Sequence, residues 1–465
     1  MKAKLISLFT VALAGTLVLS ACTSTPTSTT TTTPPGTVPG TTSPAAPPTT
    51  ATPTSNVNED GTVNDPSLVQ TDPNKLVFWS LFSGGDGAWM DKIISGFNAT
   101  GPKKQVQSVM LVWGDYYTKL TTGVAAGKGP DIGVSHVSML PQLVAQGVVQ
   151  PIDDYAAAAG INWADYPENS VASVTFDGKH YAVPLDTHAE IMYANKDMLS
   201  KAGVSLDANG QLAINGADEF KAVLGKLKAV VGDGNTALAL TNTGDDPYRV
   251  WWATYFQMGG TPILSDDGTK VTVDKDIAVK AADFIKSLYD DGYIQPGITD
   301  HQKMFQEGKA GILFGGTWAT GVLEATSGLN FVPQAFPSLF GTNQAAWADS
   351  HVLTLPTKKS RSADDSQAAV NFMKYASTDG AVIWANSGQI PSNTAVTSSQ
   401  AYKDLPFRSS YMKAKEVAVF PPQTEYFAAM KSTMIRNLDT IWTGQADSTK
   451  AITTMIDELG TDIKG

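Results

Sequence analysis

The sequence predicts an α/β fold of two lobes behind an N-terminal leader and a low-complexity tether. Three observations carry this. Apolar, strand-like runs alternate with segments of helical spacing, the pattern of a mostly parallel sheet layered with helices. The body, about Asn74 to Gly465, exceeds the size at which one core stops growing, so two lobes are expected. That body holds no cysteine, so outside a cell its stability must come from a large core rather than from disulfides.

The chain opens with Lys2 and Lys4, then fifteen uncharged residues, Leu5 to Leu19. This run falls short of the ~20 apolar residues that cross a bilayer. It fits instead the apolar core of a secretory signal peptide over residues 1–21. From Cys22 to Asn58 there is no charged side chain, and Thr, Ser and Pro dominate. Such a segment has too little apolar surface to offset its ordering entropy, so 22–72 is expected to be an unfolded tether reaching about 40 Å.

In the body, "NKLVFWSLFSGGDGAWMDKIISGFNATG" starts with a buried strand, Leu76 to Phe82, and a Gly-rich turn. Met90, Ile93, Ile94 and Phe97 then recur at helical spacing. Alternation from Val106 to Val112 predicts a second strand, "YYTKLTTGVAAG" a helix and "PDIGVSH" a third strand. "MLPQLVAQGVVQPIDDY" gives a helix and a turn, and two extended segments meet around Thr187 before another helix. "GGTPILSDDGTKVTVDKD" reads as a hairpin with an Asp-Gly turn, followed by the helix "IAVKAADFIKSLYDDG". "GKAGILFGGTW" is a strand ending in a Gly-Gly turn, and the last hundred residues are mainly helical.

Charge and motif content narrow the function. The formal net charge is −11, and loss of Lys2 and Lys4 with the leader leaves −13, which excludes the basic footprint of a nucleic-acid binder. His136, His180, His188, His301 and His351 are far apart in sequence, and no pair falls at i+4. No HExxH and no cysteine cluster occurs, so the sequence predicts neither a metal site nor a cofactor. No G-x-S-x-G elbow occurs either. "GVAAGKG" reads as a helix-to-strand turn rather than a phosphate loop. "DANGQLAINGADE" reads as a hairpin, because Leu212 stands where a calcium loop needs glycine. The doublets Asp153-Asp154 and Asp290-Asp291 read as helix caps and turns. No catalytic motif remains.

Aromatics beside polar groups at strand ends do remain: Trp79, Trp113, Trp251-Trp252, Trp318 and Trp347. A sugar presents apolar C–H faces inside a rim of hydroxyls, so it suits flat aromatic faces next to Asp, His or Asn. Each tryptophan is also a candidate for core, and Trp384 in "AVIWANSG" is read as core.

Two resemblances rest on these residues. "LSAC", residues 19–22, resembles the lipobox of bacterial lipoproteins, which implies cleavage after Ala21 and a lipidated Cys22 anchoring the chain to a membrane. The segments "FWSLFSGGDGAWM", "WGDYYTKLTTGVAAGKGPDI", "GKHYAVPLDTHAEIMYANKDMLSKAG", "WADSHVLTLP" and "ANSGQIPSN" resemble, in family order, the extracellular sugar-binding proteins of bacterial ABC importers, of the maltose-binding-protein type. The resemblance covers about Asn74 to Ile463. It implies a periplasmic-binding-protein-like fold of type II, with a ligand cleft between lobes joined by hinge segments near Thr187, Trp347–Ser350 and Thr397. The implied division is 73–187 and 348–397 for one lobe, 188–347 and 398–465 for the other. By position it assigns ligand contacts to Trp79, Asp86, Tyr116, Tyr117, His136, Ser138, Asp186 and His188, and to Tyr248, Trp251, Trp252, Trp318, Asp349 and His351. Leu81, Phe82 and Ala189 depart from common family spellings. The function implied is a monomeric, non-enzymatic receptor that passes a mono- or oligosaccharide to an ABC permease on the extracytoplasmic face. A lipid-anchored glycoside hydrolase and a surface adhesin are the competing readings.

Overall fold

The computed structural model describes residues 56–341 and 343–464, so the leader, Cys22 and the tether to residue 55 lie outside the described residues. The chain lays down β1 (Leu76–Ser80), β2 (Val106–Met110) and β3 (Ile132–His136), then a small hairpin, β4 (Thr175–Phe176) with β5 (Lys179–His180). β6 (Ala182–Pro184) leads into the long β7 (Asp186–Asn195). β8 (Thr236–Ala239), β9 (Ala310–Gly316), β10 (Phe331–Ala335) and β11 (Ala346–Asp349) follow. β12 (His351–Thr354), β13 (Ile390–Pro391) and β14 (Ala418–Val419) complete the strands.

These strands form two large sheets, ordered β2-β1-β3-β12-β6 and β14-β11-β7-β9-β8, with β10 and β13 also paired to β7. Most helices cover them through one apolar face. Gly87–Ala99, for example, buries Met90, Ile93, Ile94 and Phe97 at the spacing its sequence sets. The sheets are mixed, not mostly parallel. β1 runs parallel to β2 and β3, but β12 is antiparallel to both its neighbours. In the second sheet β9, β10, β11 and β13 all pair antiparallel with β7. A strand that leaves one lobe and is met by chain segments returning from the other produces this topology. Strand–helix alternation in sequence cannot distinguish it from a parallel sheet.

The first sheet has one core and the second has two clusters, one on each face, which together form the second core; the chain passes between first and second core three times. Leu185 packs in the first core and Ala189 in the second, so the first passage is Asp186–His188. Ala348 belongs to the second core and Val352 to the first, so the next passage is Asp349–His351. Trp384 packs in the first core and Ile390 in the second, and β13 pairs with Asp186 and Thr187, several residues ahead of Thr397. All ten residues of β7 are buried, although Asp186, Thr187, His188, Glu190 and Asn195 are polar. Buried polar groups must find partners, so this strand carries most of the demand for hydrogen bonds at the junction.

Two local expectations change. Residues 207–216 form no strand pair; Asp207 N–H donates to the Gln211 carbonyl (2.8 Å) and its carboxylate accepts from Asn209 and Gln211, closing a turn that puts Leu212 in the second core. Residues 56–68, expected within the tether, are folded. A turn at Asn58–Gly61 brings Val57 against Val63, and Val63 N–H donates to the Met110 carbonyl at 2.7 Å. Val63 is buried in the first core, so the tether ends earlier than its composition indicated. Placing a charge there without a partner should cost about 2–3 kcal/mol. Val63→Asp is therefore expected to lower the urea midpoint clearly, whereas Val57→Asp, at a half-exposed position, should not; equal midpoints for both would show that this segment does not contribute to the fold.

Candidate functional site

Where the three passages meet, the two lobes enclose a cavity of about 740 Å³ and an adjoining one of about 310 Å³. Trp113, His136, Asp245 and Arg249 line both. The floor is built around Asp186, the first residue of β7, which is fully buried. One carboxylate oxygen accepts from Trp384 Nε1 (2.7 Å) and pairs with His351 Nδ1 (2.9 Å). The other accepts from His351 N–H (3.0 Å) and pairs with His188 Nδ1 (3.1 Å). Burial alone would raise its pKa, but the His351 charge and the bonds from both imidazoles hold it well below the ordinary carboxylate range.

The histidines divide by environment. Burial pushes His136 well below its ordinary value, with the charges of His351 and His188 adding to this, and His188 is lowered for similar reasons. His351 is desolvated too, yet Asp186, Asp86 and Asp349 around it raise its pKa overall. Asp86 is pushed up to about 6 by burial, only partly offset by His351 and by a bond from Gln389 Nε2 (3.2 Å).

The walls are aromatic and charge-paired. Trp318 lies directly on Gly316, where a Cβ would come within 1.9 Å of the ring, so glycine at the last position of β9, which extends through both glycines rather than ending in a turn, is a steric requirement for seating this indole. The Arg249 guanidinium sits 4.9 Å from the Trp318 ring and 4.6 Å from the Trp347 ring, while its N–H groups reach Asp246 (3.2 Å). Lys431 is 4.6 Å from the Trp113 ring and bonds Asp245. Arg249 and Lys431 thus each have both an aromatic face and a carboxylate.

Nine of the residues expected in the site line these cavities: Asp86, Tyr117, His136, Ser138, His188, Tyr248, Trp318, Asp349 and His351. Five do not. Asp186 acts from behind, through His188 and His351. Trp79 packs against Gly123, where a Cβ would touch its ring at 3.0 Å. The Tyr116 hydroxyl is spent on the backbone, donating to the Val134 carbonyl (2.8 Å). Trp251 donates to the Ala278 carbonyl and stacks on Tyr255, and Trp252 donates to the Val419 carbonyl, both in the second core. Their helix, Asp245–Gln257, is buried almost all round, so only its first turn faces the cavity.

Sequence reasoning missed Arg249, Asp245, Gln389 and Lys431 as site residues. Arg249 follows Asp245-Asp246 by one helical turn, a pairing that was legible. Lys431 comes from the helix Phe427–Trp442, second from the C-terminus, and had no local signal. Nor did the histidine grouping: His136, His188 and His351 each present a ring nitrogen within 4.8 Å of the others, despite the absence of any sequence motif.

Two α/β lobes, three connecting passages and an aromatic, charge-paired cavity at the junction define a solute-binding protein. The chain belongs to the bacterial extracellular solute-binding protein family, whose model matches residues 92–408. It is similar to a binding protein of Brucella abortus (31% identical over 242 residues, 50% of this chain and 55% of that one). It is also similar to the maltodextrin-binding protein MdxE of Bacillus subtilis (23% over 340 residues, 69% and 71%). Among the first of these relatives, the chain spans about half the length of the curated proteins it matches. The fold matches the GacH receptor of Streptomyces glaucescens with a TM-score of 0.74 at 22% identity, covering 84% of this chain and 98% of that one.

On β7, Glu190 is fully buried, neither carboxyl oxygen has a hydrogen-bond partner among the described residues, and burial pushes its pKa up to about 8 despite Arg249 nearby. Unfolded, it would titrate near ~4.3. Between those values the folded state binds the extra proton, so this group's contribution to stability falls as pH rises. Glu190→Gln should match the wild type near pH 4 and exceed it by roughly 1–3 kcal/mol at pH 8, with Asp86 leaving a residual slope that ends near pH 6. Urea melts across this range check it; parallel curves for both proteins would exclude Glu190 as the source.

Proposed function

We propose that the chain is a carbohydrate receptor that captures a solute between its lobes and delivers it to an ABC import permease. The observation that carries this is the cavity of about 740 Å³ walled by Trp113 and Trp347, adjoining Trp318, with Asp349, His136 and Tyr117 among them. Its volume lies in the range of small-molecule sites and exceeds what one sugar ring fills, which favours an oligosaccharide over a monosaccharide. MdxE, named for maltodextrin, and the GacH receptor, solved in complex with acarbose, support a carbohydrate. The nine lining residues named above are the proposed contacts. The passages at Asp186–His188, Asp349–His351 and Ala385–Gln389 are the proposed hinge, absorbing closure while each lobe moves as a unit. Closure tightens binding only through contacts made in the closed state, which assigns Tyr248 and Trp318 that role. The receptor is monomeric and held at the extracytoplasmic face through Cys22. Among the described residues no helix is long and apolar enough to cross a membrane.

A thermal-shift screen of mono-, di- and trisaccharides and maltodextrins tests the reading, with amino acids, polyols and glycerophosphodiesters as controls. Ligand at a hundred times its Kd stabilises by ~2.7 kcal/mol, a shift of a few degrees for a chain of this size. One saccharide class is expected to produce it, and Trp318→Ala to abolish it at the same concentration. Flat curves for every saccharide would overturn the carbohydrate assignment, and a shift with a phosphodiester alone would replace it.

A further inference from the structure

Three imidazoles meet on the cleft floor, one from each of three strands: His136 closes β3, His188 lies on β7 and His351 opens β12. All three are buried and all line the cavity of about 310 Å³. One ring nitrogen of each lies within 4.8 Å of the others. The Nδ1 atoms are engaged behind them, His136 with the Tyr117 hydroxyl (2.7 Å), His188 and His351 with Asp186 (3.1 and 2.9 Å). Nε2 is then the nitrogen each ring has left to offer. A carboxylate on Nδ1 fixes ring orientation and tautomer and raises the basicity of Nε2, which is the usual support for a metal-ligating histidine. Asp186 supports two of the three, and is itself fixed by Trp384 and the His351 backbone.

We propose that His136, His188 and His351 bind one divalent transition-metal ion through Nε2 on the cleft floor. Three imidazoles suit zinc, cobalt, nickel or copper and not calcium or magnesium, which take oxygen ligands. A zinc–nitrogen bond of ~2.0–2.1 Å needs ligand nitrogens ~3.3 Å apart, so nitrogens up to 4.8 Å apart must close by about 1.5 Å, within reach of side-chain rotations. In the bound tautomer His136 donates Nδ1–H to the Tyr117 oxygen, and any proton on Nε2 of the other rings is released to solvent. With three protein ligands a fourth position stays open to the cavity, for water or for a hydroxyl of the solute. The solute as fourth ligand rests on the receptor reading; the ion site itself does not.

The test uses the full chain in detergent, stripped with EDTA and titrated with Co²⁺ and then Zn²⁺. One equivalent of Co²⁺ should bind and give intense visible d–d bands of a low-coordinate, nitrogen-rich site, and Zn²⁺ should abolish them. His136→Gln should weaken binding by tenfold or more and Asp186→Asn by 10–100-fold. His180→Gln should change nothing, since that ring stacks on Trp163 away from the cleft. Should the buried variants fail to fold, X-ray absorption of the wild-type zinc form counts imidazole ligands directly, and three are expected. No saturable binding, affinity indifferent to His136→Gln, or a zinc shell with fewer than two imidazoles would overturn the site, leaving the saccharide screen unaffected. Saccharide affinity equal in stripped and zinc-loaded protein would exclude the solute as fourth ligand.

Discussion

The buried carboxylate of Asp186 is the interaction on which the rest of the junction depends. A lone anion at full burial is among the most unfavourable groups a fold can hold. Here it meets donors from three separate parts of the chain: His188 on the same strand, the side chain and backbone of His351 on β12, and the Trp384 indole just ahead of β13. Those are the three places where the chain passes between lobes. One carboxylate therefore ties the passages to one another, and charge-assisted bonds of this kind are about twice as strong as neutral ones. Removing it leaves several buried donors without a partner, while replacing it by a larger group has no space to enter.

From that anchor the cleft follows outward. Asp186 sets the orientation of two imidazoles, and their remaining edges, with His136, form the floor. Gly316 lets Trp318 lie close to the strand beside His188, at a ring separation of 5.8 Å. Arg249 and Lys431 then cover aromatic faces while neutralising Asp245 and Asp246. The cavity presents flat aromatic surface and hydrogen-bonding groups. That is a surface a neutral, hydroxyl-rich solute can use.

Much of this was legible because it is local. The run Leu76–Phe82, the spacing of Met90, Ile93, Ile94 and Phe97, and the Asp-Gly hairpin bridged at Leu264 and Val271 all declare themselves within a dozen residues. What escaped is non-local. Parallel and antiparallel pairing look alike along one strand, so the mixed sheets had no signature. Trp251 and Trp252 stood beside polar residues as site aromatics would, but a helix buried almost all round turns them into core. The histidine floor joins residues 136, 188 and 351, separations at which no spacing rule operates. Val63 sat at the edge of a compositionally unfolded segment, where a single turn and one apolar side chain suffice to add backbone to a sheet edge.

The most direct test of the Asp186 account is the protonation pattern of the imidazoles, read by long-range proton–nitrogen correlation on the metal-free chain labelled with ¹⁵N-histidine. A carboxylate behind Nδ1 requires the proton there, so neutral His188 should be the Nδ1–H tautomer and should lose that preference in Asp186→Ala. His188 found as the Nε2–H tautomer in the wild-type chain would contradict the account, because Asp186 would then face a lone pair instead of a donor.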